Sequence, residues 1–199
     1  VGDGEALGDL GVIADIPRTA SVKSLNRLAT LVVPTSLFRE AMQALGVVYE
    51  GYFKDIFQRR LFFQLAPDIS RDVSTTVFNR IAKLSRIEKV AAGEVLYKKG
   101  DRDGRLIVSP GEVELSVGKQ TELMTGPTVV GECEIFLGGL GKPAQRLHSA
   151  KATIPMDVLI IDADVTRGIP VIEDNARRLI RTRQRSIYQD LPQLNRALG

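Results

Sequence analysis

The sequence predicts an α+β protein in which an antiparallel, jelly-roll-like β-roll is flanked by helices. The first observation is a series of short apolar or alternating runs between residues 87 and 161, separated by turn residues at intervals of roughly 8–12 residues. The second is a helical spacing of apolar residues over 37–65 and again over 169–191. The third is a glycine–acid–arginine pattern that occurs twice, at 8–18 and at 131–146.

Composition limits the classes of protein that the chain can belong to. The 199 residues suit one large domain or two small ones, and 44% hydrophobic and 26% charged residues are typical of a globular chain. We find no signal peptide and no run of about 18 apolar residues that would cross a membrane. A single cysteine excludes an intrachain disulfide framework and favours a reducing compartment such as the cytoplasm.

Metal and nucleic-acid functions have little support in the composition. One cysteine and one histidine argue against a structural zinc site, which usually needs four nitrogen or sulfur ligands. The formal net charge of +3 is too small to argue by itself for nucleic acid. His148 has no second histidine or adjacent nucleophile, so we predict no catalytic residue and expect a packed or surface side chain.

The segment before residue 35 predicts two strands. Residues 21–25 alternate polar and apolar side chains, and residues 29–33 form a short apolar run. Pro34 ends this run, because proline cannot continue a strand ladder.

Helices are expected from residue 35 to residue 85. Apolar residues recur every three or four positions over 37–65, with a break expected near Gly46 and Gly51. A second helix is expected to reach about residue 84 from a cap at Asp68 or Ser70.

The region after Arg86 predicts strands and tight turns. Glycine-containing turns separate apolar or alternating runs, which we expect to form strands at 87–90, 95–97, 106–108, 113–117, 152–154 and 158–161. From about 169 to 191 the spacing becomes helical again, with Arg183 on the same face as the apolar residues. The five arginines of this helix predict a solvated face, with an acidic partner, anionic lipid or nucleic acid as the alternative.

These patterns together resemble the cyclic nucleotide-binding domain superfamily. Turns at 93–94, 100–101 and 110–113 are similar, in order, to the Gly-Glu, Gly-Asp and Ser-Gly-Glu-Val turns of that family. The resemblance implies one whole domain preceded by the C-terminal part of another. We therefore expect a partial first domain at 1–45, a helical connector at 46–85, the second β-roll at 86–165, and a C-terminal helix and tail at 166–199.

The resemblance also implies a ligand-binding cassette in each copy, in which an arginine binds the cyclic phosphate and an acid binds the ribose 2′-hydroxyl. Arginine suits this role because its guanidinium binds phosphate oxygens by charge-assisted, bidentate hydrogen bonds. In the first copy the implied ligand-binding residues are Gly8, Asp9, Arg18, Thr19 and Ser21. The acid and arginine are 18 − 9 = 9 positions apart, as in the family, but Asp9 is one methylene shorter than the usual glutamate. Thr19 favours tolerance of cGMP.

In the second copy the implied ligand-binding residues are Gly131, Glu132, Arg146, Leu147 and Ser149. Here the acid and arginine are 146 − 132 = 14 positions apart, so this cassette has 14 − 9 = 5 extra residues, which fall in a glycine-rich stretch at 138–143. Gln145 replaces the usual proline, and Leu147 stands where the family usually has a small residue. The extra residues either loop out or displace Arg146.

The function implied by the resemblance is a regulatory sensor of cAMP or cGMP, similar to a kinase regulatory subunit, that changes its helix packing when ligand binds. The expected partners are the cyclic nucleotide and a protein effector such as a kinase catalytic subunit; no other cofactor, metal or nucleic acid is expected. Three alternatives stay open. They are a ligand-free β-roll for protein contact, the sensor half of a transcription regulator, and the sensor half of an enzyme whose catalytic domain is elsewhere.

Overall fold

The protein is described by a computed structural model that covers residues 8, 12, 21–44, 49–137, 144–189, 191, 192, 194 and 196. The chain divides into two compact units, residues 1–58 and residues 59–199. Most of the predicted first cassette, including Asp9, Arg18 and Thr19, lies outside the described residues.

The first unit contains a helix but neither of the two predicted strands. Helix α1 spans Thr35–Ala44, and it begins directly after Pro34. Residues 21–33 form neither helix nor strand, so the prediction of strands at 21–25 and 29–33 is wrong. The physical reason is the lack of a pairing partner among the described residues, since a strand needs a neighbour to satisfy its backbone groups. The apolar side chains are left exposed, with Leu25 99% and Leu31 90% accessible.

The long helix predicted over 37–65 is described in two parts. Helix α2 spans Tyr49–Gln64 and continues through Gly51, so the break predicted there is wrong, while Gly46 lies outside the described residues and a break at that position stays a prediction. The helix predicted to start at Asp68 or Ser70 is instead two helices, α3 (Pro67–Ser70) and α4 (Thr75–Leu84). Ser74 caps α4, because its hydroxyl accepts a hydrogen bond from the Val77 N–H at 3.4 Å, and so the predicted cap is wrong.

Among its described residues, the second unit contains eight strands in two antiparallel four-stranded sheets. The strands are β1 (Arg86–Val90), β2 (Val95–Tyr97), β3 (Leu106–Ser109), β4 (Val113–Val117), β5 (Gln120–Met124), β6 (Thr128–Val130), β7 (Ser149–Ala152) and β8 (Met156–Ile161). Besides α3 and α4, the described residues of this unit form helices α5 (Glu132–Leu137), α6 (Ala163–Thr166) and α7 (Pro170–Arg183). One sheet has the order β1-β8-β3-β6 and the other β2-β7-β4-β5, which confirms the predicted α+β roll.

The first sheet is covered on both faces, which explains the continuous apolar runs in β3 and β8. Ile107 and Ile160 point into the core between the sheets, where they pack with Leu115 of β4. Their neighbours Val108 and Leu159 belong to a second core formed with the helices. Because successive strand residues face opposite sides, both faces of these strands must be apolar.

The second core ties the helices to this sheet. Phe63, Ile69, Ile81 and Ile172 are buried in it at 0% exposure. Asn175 of α7 adds one hydrogen bond to α3 and one to the residue that follows it. The Asn175 amide donates to the Ile69 carbonyl at 3.0 Å and to the Arg71 carbonyl at 2.7 Å. Helix α7 is therefore held by both apolar packing and side-chain hydrogen bonds.

Three elements differ from the predicted β-roll. Strand β7 covers Ser149–Ala152 rather than 152–154, because it pairs in register with β4 through Leu115 and Ala150. Strands β5 and β6 were not predicted. Among the described strands, β5 lies at a sheet edge beside β4, and its polar side chains obscure the strand pattern. The predicted helix of 169–191 ends at Arg183 and continues as turns to residue 189.

Candidate functional site

The second cassette begins at Gly131, where the backbone lies very close to neighbouring groups. Gly131 follows β6 and has φ +93°, a conformation that favours glycine. A Cβ atom here would lie 2.6 Å from Arg146 Nη1 and would also overlap the Arg105 carbonyl. The chain can therefore place the start of α5 against Arg146 only because residue 131 has no side chain.

Glu132, the first residue of α5, is fully buried. Its Oε1 accepts hydrogen bonds from Arg183 Nη1 at 2.6 Å and from the Tyr188 hydroxyl at 2.8 Å. Its Oε2 has no hydrogen-bond partner among the described residues. A buried carboxylate oxygen without a donor is unfavourable, so Oε2 is an acceptor position that a ligand hydroxyl can satisfy.

Arg183 connects this carboxylate to the end of α7. Its Nη2 donates to Thr128 Oγ1 at 2.9 Å, so one guanidinium contacts α5 and β6 together. Burial is the largest single influence and would raise the pKa of Glu132, but the positive charge of Arg183 and smaller contributions, among them the hydrogen bond from Tyr188, together lower it. Burial alone would lower the pKa of Arg183, but the Glu132 carboxylate raises it. Both groups are therefore ionised at neutral pH.

Arg146 also lies beside Gly131, but it is 1% exposed and its guanidinium is bound by other groups of the protein. Its Nη1 donates to Glu134 Oε2 at 2.8 Å, its Nε to Asp103 Oδ1 at 2.7 Å, and its Nη2 to the Arg105 carbonyl at 2.6 Å. One face of the guanidinium is covered by the Tyr97 ring, whose centroid lies 3.9 Å from Cζ. The arginine that the resemblance implies as the phosphate ligand thus has protein partners on most of its donors.

Glu134, a second acid of α5, lies beside Arg146. Its Oε2 accepts from Arg146, and its Oε1 accepts from the Leu147 N–H at 3.3 Å. Burial raises the pKa of Glu134 even though the Arg146 guanidinium opposes this shift. Burial would also raise the pKa of Asp103, but Arg146 and Arg105 together lower it. The two arginines therefore keep Asp103 ionised, and Glu134 is the more readily protonated of the two carboxyl groups paired with Arg146.

An internal chain of aromatic and histidine side chains links the two ends of the site. The Tyr97 hydroxyl lies 2.6 Å from His148 Nε2, and the Tyr188 hydroxyl lies 3.4 Å from the same atom. His148 is fully buried, and its Nδ1 has no partner among the described residues. Burial lowers the pKa of His148 to about 4, so its ring is neutral near pH 7.

The structure brings four of the five predicted residues of the second cassette together: Gly131, Glu132, Arg146 and Leu147. Ser149 lies on β7, where its hydroxyl accepts from the Lys99 N–H at 2.9 Å. The glycine-rich stretch at 138–143 lies outside the described residues.

Of the first cassette, only Gly8 and Ser21 are described. Ser21 is exposed and belongs to no helix or strand, and Gly8 has φ +80°. Asp9, Arg18 and Thr19 stay predictions.

Sequence reasoning missed the side chains that hold the cassette residues. The prediction of a solvated face is wrong for Arg183, which is 4% exposed. The signal was its place on the apolar face of the helix. Glu134 had a weaker signal, as a second acid two residues after Glu132, and Asp103 had none, since only the folded loop brings it to Arg146.

The described residues show neither a metal centre nor a membrane span. Across the described ranges, no group of three or more His, Cys, Asp or Glu side chains could hold a metal ion. Across the same ranges, every helix is too short or too polar to cross a bilayer.

Comparison with known proteins gives similarity at the level of structure only. Neither a protein-family model nor a curated protein sequence matches the chain. The structure of PKAR CBD2 with bound Sp-2Cl-cAMPS is 16% identical at a TM-score of 0.57, and the match covers 70% of this chain and 93% of that one.

Two further structures are similar. The regulatory domain of Toxoplasma gondii PKA, co-crystallised with cAMP, is 17% identical at a TM-score of 0.55, covering 93% of this chain and 69% of that one. A cyclic nucleotide-binding domain from Methylobacillus flagellatus is 16% identical at a TM-score of 0.50, covering 67% and 84%. At these identities the matches establish a shared fold.

Proposed function

Because the chain has the fold of the cyclic nucleotide-binding domain superfamily, we propose that it is a regulatory module that senses cAMP or cGMP. The observation that carries the proposal is the assembled second cassette. Gly131 leaves so little room that a Cβ there would lie 2.6 Å from Arg146 Nη1, and the next residue, Glu132, has a buried carboxylate oxygen without a partner among the described residues. An acid and an arginine beside one glycine turn suit a ligand that has both a hydroxyl and an anionic phosphate.

The ribose end of the ligand binds Glu132. The 2′-hydroxyl donates to Oε2, while Oε1 keeps its hydrogen bonds to Arg183 and Tyr188. The lowered pKa of Glu132 favours this contact, since an ionised carboxylate is a stronger acceptor than a neutral acid.

The phosphate end binds Arg146 by an exchange of partners. An anionic phosphate offers the acceptors that Glu134 now offers, so it takes over the Arg146 Nη1–H and the Leu147 N–H. Asp103 keeps the guanidinium in place through Nε. The exchange costs one buried ion pair and forms another.

The ligand is coupled to the C-terminal segment through Glu132. Arg183 ends α7, and Tyr188 follows in the turns after it, so a ligand on Glu132 biases how this segment packs. A ligand shifts such an equilibrium only by its difference in affinity for the two arrangements. We propose that the affected segment contacts a protein effector in the cytoplasm, such as a kinase catalytic subunit, because two of the similar structures are PKA regulatory domains.

The first cassette is proposed as a second ligand site. Gly8, Asp9, Arg18, Thr19 and Ser21 keep the family's spacing, with Thr19 favouring tolerance of cGMP. An Arg18→Ala variant tests this site separately from the other.

Isothermal titration calorimetry with cAMP and with cGMP on the 199-residue chain tests the proposal. We expect saturable heat, with Arg146→Ala removing the second site and Arg18→Ala the first. Arg178→Ala, an exposed arginine of α7, is the matched control and should leave both sites unchanged. No binding at high micromolar nucleotide, with both cassette variants silent, would overturn the proposal.

A ligand-free β-roll for protein contact is the second candidate, and the burial of Arg146 favours it. Arg146 is 1% exposed and its guanidinium is bound by the carboxyl groups of Asp103 and Glu134, so its positive charge is neutralised without a ligand. Under this alternative the melting temperature does not change with added cAMP or cGMP. Under our proposal it rises with nucleotide concentration.

A further inference from the structure

We infer that the Glu134 carboxylate is a built-in competitor for the phosphate position of the second cassette, so that the ligand must displace it to bind. The inference rests on the proposed function, because it names the residue that sets the nucleotide concentration at which this site responds.

The contacts of Glu134 are those of an anion ligand. One oxygen accepts from the Arg146 guanidinium at 2.8 Å, and the other accepts from the Leu147 N–H at 3.3 Å. A phosphate bound by an arginine and a neighbouring backbone N–H uses its oxygens in the same way. Both carboxylate oxygens of Glu134 are therefore used where ligand oxygens would lie.

The position of Glu134 makes this contact intramolecular and buried. It lies in α5, two residues after Glu132, and its side chain is 1% exposed. Arg146 is as deeply buried, at 0% side-chain exposure. Bulk water screens such a pair little, so the tether provides a high local concentration of the competing carboxylate.

Charge balance also acts against the ligand. Arg146 already meets Asp103 at 2.6 Å as well as Glu134, so its single positive charge faces two carboxyl groups. A phosphate entering beside an ionised Glu134 would meet a like charge. Glu134 must swing away or take up a proton before the phosphate can bind Arg146.

Glutamine at this position separates charge from shape. Glu134→Gln keeps the side-chain volume and removes the negative charge, so cAMP should bind more tightly by roughly ten- to a hundred-fold, the range for one charge-assisted hydrogen bond. Glu114→Gln is the matched control, because Glu114 is a paired acid of the same roll whose partner is Lys151 at 2.6 Å. The control should leave cAMP affinity unchanged.

Glu134→Asp tests the same inference independently, in case the glutamine variant does not fold. It keeps the charge but is one methylene shorter, so it cannot span Arg146 and the Leu147 N–H together. We expect tighter cAMP binding from this variant as well, and circular dichroism melting of each variant confirms that it is folded.

The experiment is calorimetric titration of cAMP into four proteins that all carry Arg18→Ala, so that the first cassette is silent. They are the reference protein, which has no further change, and the Glu134→Gln, Glu134→Asp and Glu114→Gln variants. Tighter binding to the Glu134 variants alone supports the inference. If the reference protein binds cAMP and the Glu134 variants bind it equally or more weakly, the inference is overturned and the proposed function stands. Absence of binding to all four proteins overturns the proposed function at this cassette and the inference with it.

Discussion

Loss of the Arg183 guanidinium should strongly destabilise the protein, because it leaves a buried carboxylate without its countercharge. In Arg183→Met the long apolar stem is kept and the charge is removed. Glu132 is 0% exposed and lies 2.6 Å from Arg183 Nη1, a separation at which the gross attraction is about 6 kcal/mol at an effective dielectric constant of 20. Desolvation of both ions offsets much of this in the intact protein. Removal of one partner still costs about 3–5 kcal/mol of unfolding free energy, against about 0–1 kcal/mol for a surface pair.

Urea unfolding followed by far-ultraviolet circular dichroism measures this loss. Arg178→Met is the control, since Arg178 is exposed on the same helix and its loss should change the unfolding free energy by less than about 0.5 kcal/mol. Glu132→Gln combined with Arg183→Met should recover part of the loss, because no uncompensated buried charge then remains. A cost below about 1 kcal/mol for Arg183→Met, or no recovery in the double variant, would refute the reasoning.

Three further predictions test the fold and the site. Gly131→Ala should lower the unfolding free energy by at least about 2 kcal/mol, because the new Cβ is strained and overlaps Arg146. Gly93→Ala is the control: Gly93 has φ +81°, but its Cβ would have no atom within 4 Å, so it should cost only about 1 kcal/mol. Equal losses of stability for the two variants in thermal melts would contradict the close approach at Gly131. His148 stays neutral in the fold down to pH about 4 while the unfolded chain takes up a proton near 6.5, so stability falls as pH drops through this window, by up to about 3 kcal/mol. His148→Gln should remove that part of the acid sensitivity, and an unchanged pH profile of urea midpoints would argue against a buried neutral ring. Asn175→Ala should cost about 1–3 kcal/mol by leaving two carbonyls of the α3 region without a donor, with Asn175→Asp as bad or worse in the same assay.

The sequence predicted the β-roll best where local pattern and tertiary environment agree. The runs at 106–108 and 158–161 are apolar at every position because helices cover one face of that sheet and the second sheet covers the other. The pattern failed at residues 21–33, where alternation and β-branched residues favour strands but no neighbouring strand pairs with them among the described residues. Strand propensity is realised only with a partner.

The candidate site was predictable in its cassette residues but not in what holds them. Gly131, Glu132 and Arg146 were identified from a motif, and the structure places them together despite the lengthened spacing. Asp103 and Glu134 could not be assigned to Arg146, because such pairing depends on loop geometry that sequence spacing does not encode. A burial pattern was nonetheless present in the sequence, since Arg183 falls on the apolar face of its helix.

The affinity ratio between cAMP and 2′-deoxy-cAMP tests the central claim most directly, because it isolates the hydroxyl that we assign to Glu132 Oε2. In the chain carrying Arg18→Ala, we expect cAMP to bind roughly tenfold or more tightly than the deoxy analogue, the effect of one hydrogen bond to a buried charged group. Glu132→Gln should reduce this ratio, since a neutral amide oxygen is a weaker acceptor than a carboxylate. Equal affinity for the two nucleotides in both proteins, or no binding of either, would contradict the account.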